Sequence, residues 1–156
     1  MNITIAPATI RKSFTVRAAP EKAFAVFTAD FGRWWPKTHY IGDSPLTGAV
    51  VEPRKGGRWY GQHADGVDRP WGEVLVWEPP TRLVLIWRIS FQWGYDPKLH
   101  TEVDVRFTRE GDGTRIDFEH RGLEAFGDSE AAVETRTKMN GGWGKILESY
   151  QAAVNG

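Results

Sequence analysis

Four histidines and no cysteine bound the chemistry open to this chain. Without thiols there is no disulfide, no thiolate nucleophile and no cysteine metal site. His63-x-Asp65 and His100-x-Glu102 each set an imidazole two residues from a carboxylate. Neither has the i, i+4 helical pairing of a zinc protease, and spacing points to no third ligand. No structural or catalytic metal is expected. Serines are present, but no G-x-S-x-G nucleophile elbow is. Gly56-Gly57 is not followed by Lys and Ser or Thr, so it is no phosphate loop. Asp112, between Gly111 and Gly113, reads as turn chemistry, because the other oxygen-bearing positions of a calcium loop are missing. No catalytic residue and no cofactor follow from these patterns.

The stronger signal is aromatic. Eight tryptophans, eight phenylalanines and four tyrosines make 13% of the chain. Trp59, Trp77, Trp87, Phe91, Phe118 and Trp143 are the candidates for a cavity wall. Taken singly, each ring is a core residue, with one N–H to satisfy in the case of Trp. Taken together they point to a small pocket, since rings this large leave gaps beneath a curved sheet. His120 ends an alternating strand on its apolar side. It is read as a core or rim histidine bonded to backbone, or as a donor to a ligand. Met139 shares a helical stripe with Trp143, as a packing residue or as a ligand contact.

These side chains need elements to hold them. Phe14 and Val16 alternate with polar neighbours, as a first strand does. Pro20 stands at a helix start with Glu21 in the first turn, and Ala23, Phe24 and Phe27 form its apolar face. Gly32 and Pro36 bracket Arg33-Trp34-Trp35 as a kinked segment or loop. From Gly48 to His120 the period is two. Glu73 shares parity with Leu75 and Trp77. Pro79-Pro80 ends that strand. Leu83, Leu85, Trp87, Ile89 and Phe91 share one face of the next. Val103, Val105 and Phe107 follow on another strand, and Glu110-Gly111-Asp112-Gly113 is a hairpin turn. Ile116, Phe118 and His120 alternate on the last. Trp143, Ile146, Leu147, Tyr150 and Val154 then form an amphipathic stripe. One long helix is expected over residues ~138–154, with a short separate helix before it, from Asp128 or Ser129 to Arg136. Gly141, Gly142 and Gly144 weaken its start.

The expected frame is therefore a curved antiparallel sheet around a long C-terminal helix, in one domain over residues 1–156. Charge agrees with an ordinary soluble domain: 20 basic and 20 acidic residues balance. No basic surface for nucleic acid is expected. No apolar run is longer than Leu83 to Trp87, which is far short of a ~20-residue membrane span. Met1 to Thr9 lacks the basic region and apolar core of a signal peptide, so a cytoplasmic location is expected.

Six short motifs, in order, carry a family resemblance. They are Ala19-Pro20-Glu21-Lys22-Ala23-Phe24 with Arg33-Trp34-Trp35; Gly56-Gly57-Arg58-Trp59; Gly72-Glu73-Val74-Leu75 through Pro79-Pro80-Thr81-Arg82-Leu83-Val84 to Trp87; Gly113-Thr114-Arg115; His120-Arg121-Gly122-Leu123; and Gly142-Trp143. From about Arg11 to Tyr150 the chain resembles the Hsp90-ATPase-activator-homologue-like branch of the START/Bet v 1 (SRPBCC) superfamily. The resemblance implies an α+β helix-grip fold with an internal cavity for apolar or amphipathic small molecules. Where the family often carries a His one turn before the Gly-Trp pair, this chain has Met139.

Three functions compete at this stage. The first is a small-molecule binding domain holding an apolar or aromatic ligand at Trp59, Trp77, Trp87, Phe91, Phe118, His120, Met139 and Trp143, without covalent chemistry. The second is a cyclase- or hydrolase-like enzyme using the same cavity, for which Glu73 and His120 are the one inward titratable pair. The third is a chaperone-associated interaction module, which the balanced charge does not favour. The expected partner is a small apolar or amphipathic molecule, with no nucleic acid or membrane, and the chain is a monomer or homodimer.

Overall fold

The structure, a computed structural model, describes residues 8–156. Seven strands form one antiparallel sheet: β1 (Thr9–Val16), β2 (Leu46–Val51), β3 (Arg58–His63), β4 (Arg69–Glu78), β5 (Arg82–Trp87), β6 (Thr101–Glu110) and β7 (Gly113–Arg121), in the order β1-β7-β6-β5-β4-β3-β2. Two short helices, α1 (Pro20–Thr28) and α2 (Phe31–Trp34), join β1 to β2, and α3 (Glu130–Asn155) closes the chain. The sheet curls around α3 as an α+β helix-grip fold. No helix among the described residues is long and apolar enough to cross a membrane.

The inner face of the sheet follows the alternation. Leu83, Leu85 and Trp87 of β5 pair with Val105, Val103 and Thr101 of β6. Val105 and Val103 pair in turn with Phe118 and His120 of β7. On β4 the parity changes. The register slips between Val74 and Val76, so Val74 opposes Leu85 while Trp77 opposes Leu83. Leu75 is the extra residue of this bulge, and each side of it keeps its own inward set. Glu73 therefore does not share a face with Trp77. It opposes Ile86 and binds Arg88 Nε at 2.8 Å. The pairing of Glu73 with His120 as an inward acid and base is overturned by that one inserted residue.

Gly72 has a steric reason. A Cβ there would overlap the Ile86 carbonyl of the neighbouring strand, so only glycine lets β4 approach β5 at this point. The outer face carries charge. Asp104, 2% exposed, accepts from Arg82 (2.9 Å) and Arg121 (2.8 Å), and Arg121 continues to Glu102 at 2.6 Å. These partners hold the Asp104 carboxyl below its usual range despite its burial.

The final helix is longer than its apolar stripe requires. It runs unbroken from Glu130, absorbing the short helix expected before it. The Ser129 hydroxyl caps it, accepting from the Ala132 amide at 3.1 Å. The three glycines lie within the helix, so packing and the cap outweigh their low propensity. Ala132, Arg136, Met139, Trp143, Ile146, Leu147, Tyr150 and Val154 form its buried stripe. Three side chains tie it to the first helices and strand: Tyr150 Oη donates to Ala23 O (2.6 Å), Ser149 Oγ to Trp34 O (2.6 Å) and Gln151 Nε2 to Thr15 O (2.8 Å).

Candidate functional site

A pocket of about 390 Å³ opens between the middle of α3, the segment after α2 and the ends of β4 and β5. Its volume lies in the range of small-molecule sites, roughly 300–1,000 Å³. Met139, Gly142, Trp143 and Ile146 face it from α3. Trp35 and Ile41 come from the segment after α2, and Trp71, Trp87 and Ile89 from the sheet side. Polar groups lie in Thr38, His39, Tyr40 and Lys138, and Trp93 completes the lining.

Four indoles of the inner wall join Trp59 behind them in a closed circuit of five. Ring centroids are 5.1 Å apart for Trp35–Trp71, 5.4 Å for Trp71–Trp59 and 5.5 Å for Trp59–Trp87. The circuit closes through Trp87–Trp143 at 5.6 Å and Trp143–Trp35 at 5.9 Å. Tilted and edge-on contacts at these distances suit the aromatic quadrupole. Three N–H groups are held within the protein. Trp35 Nε1 donates to His39 O at 2.8 Å, Trp87 Nε1 to Ile89 O at 2.9 Å and Trp143 Nε1 to His120 Nδ1 at 3.1 Å.

His120 locks two of these rings. Because Nδ1 accepts from Trp143, the neutral imidazole carries its proton on Nε2 and donates to Thr101 Oγ1 at 2.9 Å. The Thr101 hydroxyl in turn donates a hydrogen bond to the Trp87 carbonyl at 2.9 Å. Burial pushes the imidazole down to about 3, so it stays uncharged at neutral pH. Both ring nitrogens are engaged, and His120 acts as a spacer that sets the angle between Trp87 and Trp143.

The eight side chains singled out from the sequence divide into three groups. Trp87, Met139 and Trp143 line the pocket. Trp59, Phe118 and His120 stand behind it: Trp59 within the indole circuit, Phe118 4.6 Å from the Trp143 ring, and His120 beneath Trp143 and Trp87. Trp77 and Phe91 are elsewhere. Trp77 packs on Phe24 at 5.1 Å beside α1, and Phe91 lies 6.5 Å from Phe126. Trp35, Trp71 and Trp93 belong to the lining, although only Trp35 falls in a motif read from the sequence. Trp71 stands one residue before Gly72, where the strand's alternation first becomes visible, and Trp93 lies in an irregular loop. Neither position carries a periodic signal.

The other titratable candidates are occupied. His63 Nδ1 donates to Ser44 O at 2.7 Å, Asp65 binds the Arg69 guanidinium at 2.8 Å and His100 meets Glu102 at 2.7 Å. Among the described residues no three His, Asp or Glu side chains converge as a metal site.

Residues 17–155 match the family described as Activator of Hsp90 ATPase homolog 1-like protein. The chain belongs to this family. Among solved structures, an anthrahydroquino-gamma-pyrone synthase is 34% identical, with a TM-score of 0.65 over 94% of this chain and 98% of the synthase. CalC from Micromonospora echinospora, a self-sacrificing resistance protein, is 30% identical, with a TM-score of 0.68 over 94% of this chain and 93% of CalC. The Aha1 dimer from Colwellia psychrerythraea shares the fold at 17% identity and a TM-score of 0.57, over 94% of this chain and 96% of that one. The comparison with curated proteins returned no match.

Proposed function

We propose that this chain is a binding protein for a flat, largely apolar aromatic molecule, held non-covalently in the pocket between α3 and the sheet. The observation that carries the reading is the indole wall. Trp35, Trp71, Trp87 and Trp143 give broad apolar faces, and the polar side chains Thr38, His39, Tyr40 and Lys138 join the same lining. Such a site buries a ring system by area and orients it with few polar contacts. The similarity to a synthase of an anthrahydroquinone-type product supports a polycyclic aromatic ligand.

A second reading, catalysis in the same pocket, is favoured by that similarity alone. The titratable groups available to it are His39, Tyr40 and Lys138, since His120 is consumed in positioning the wall.

Gly142 supplies the test. Nothing stands within 4 Å of the place where its Cβ would be, and it lines the pocket. A leucine there suits a helix and projects into the ligand space. Wild-type protein is expected to bind anthraquinone-2-sulfonate at micromolar concentration by calorimetry, and Gly142→Leu to lose at least tenfold in affinity while remaining folded. Equal binding by both proteins, or none by the wild type, would refute the pocket as the site.

A further inference from the structure

Of the eight tryptophans, seven have an aromatic ring within 6.5 Å. Trp93 has none among the described residues, and it is half exposed, at 50%. A half-exposed indole buries less apolar area than the other seven and so adds less to the fold, and this one stands at the pocket.

Its backbone sharpens the point. Trp93 is the one described non-glycine residue with positive φ, at 62°. A bulky side chain is disfavoured there, where glycine or asparagine would sit without strain. The loop enforces this conformation. Ser90 N donates to Gly94 O at 2.8 Å, Trp93 N to Ser90 O at 2.9 Å, and the Ser90 hydroxyl accepts from Gln92 N at 3.3 Å and Gly94 N at 3.4 Å. Below the loop, Arg88 anchors it through Pro97 O and Leu99 O at 3.1 and 2.7 Å. A tight, anchored loop thus presents a strained, half-exposed indole, and that indole lines the pocket together with Tyr40, itself 38% exposed. Strain held by surrounding structure at a pocket is a mark of a functional position.

We propose that Trp93 is a ligand-stacking residue: its ring covers a flat aromatic molecule bound against the indole wall and sets the preference for planar ring systems. The role rests on the pocket reading above and adds a named selectivity residue to it. An unpaired ring face that gains an aromatic partner only when ligand is present contributes to binding and not to folding.

Three proteins test it by calorimetry with anthraquinone-2-sulfonate and by thermal melts: the wild type, Trp93→Gly and Trp93→Phe. Trp93→Gly should bind about tenfold more weakly, with a melting temperature equal to or above that of the wild type, because glycine accepts the positive φ. Trp93→Phe should keep binding within about threefold, since a ring face remains. If the wild type binds and Trp93→Gly binds as well, the stacking role fails while the pocket stands. A fall of several degrees in Trp93→Gly would make Trp93 a packing residue and also overturn the role. If the wild type does not bind, the pocket reading falls and the role with it.

Discussion

His120 shows how one buried side chain can govern a site without doing chemistry in it. Its ring accepts from one wall tryptophan and, through Thr101, holds the strand carbonyl of another. A proton on Nδ1 would break the first of these bonds. Folded, the imidazole titrates at about 3; unfolded, at about 6.5. Between those values the unfolded chain binds a proton that the folded chain does not, so stability is full above pH 6.5 and declines as pH falls toward 3. The slope from this group is about 1.4 kcal/mol per pH unit. Asp104, lowered by Arg82 and Arg121, and Glu102, lowered by His100 and Arg121, in each case against the opposing effect of burial, add a loss of the same sign at lower pH. Urea unfolding at pH 7, 6, 5 and 4, with His120→Gln beside the wild type, separates the two contributions. The stability advantage of the wild type over the variant should shrink steadily with acidification. Parallel profiles would mean that His120 titrates alike in both states.

At the scale of elements, α3 combines a poor helix-forming sequence with a demanding position. Gly141, Gly142 and Gly144 all face open space where a Cβ would stand. None is required by close backbone approach. Alanine at 141 or 144 should therefore stabilise the protein by about 0.5–1 kcal/mol each, read as a higher urea midpoint with an unchanged slope. Gly142→Ala should gain similarly in stability, and its methyl group enters the pocket. A destabilised Gly141→Ala or Gly144→Ala would show that the glycines are needed for a bend absent from this structure. The sheet gives the contrasting case. Gly72 stands against the Ile86 carbonyl with no room for a Cβ, and the bulge at Leu75 moves Trp77 onto the inner face while leaving Glu73 on the outer one.

For the whole molecule, a ligand in the proposed pocket would lie between α3 and the sheet, the two layers whose packing defines the fold. Occupancy should then stabilise the entire domain. With ligand at a hundred times its dissociation constant the gain is about 2.7 kcal/mol, which raises the melting temperature by several degrees. Thermal melts across an anthraquinone-2-sulfonate titration should show this rise, and Gly142→Leu should not. A wild-type melting temperature indifferent to a probe that calorimetry shows to bind would mean that the probe binds the unfolded chain as well as the folded one, and would count against a site built by the fold.

The order of elements, the antiparallel sheet and the inward stripe of α3 were all legible in the sequence, because two-residue and helical alternation record directly which face is buried. Trp87, Phe118, His120 and Trp143 could be marked as inward for the same reason. The circuit of five indoles could not. It joins residues from β3, β4, β5, α3 and the segment after α2, and the closeness of Trp35 to Trp143 is separated by most of the chain. The parity of Glu73 turned on one unpaired residue at Leu75, since a single insertion reverses every side chain beyond it. Trp93 lies in a loop, where no period exists to read. Alternation along each element is local and was written in the sequence; which faces met, and what space they left, depended on sheet register and curvature that only the folded chain supplies.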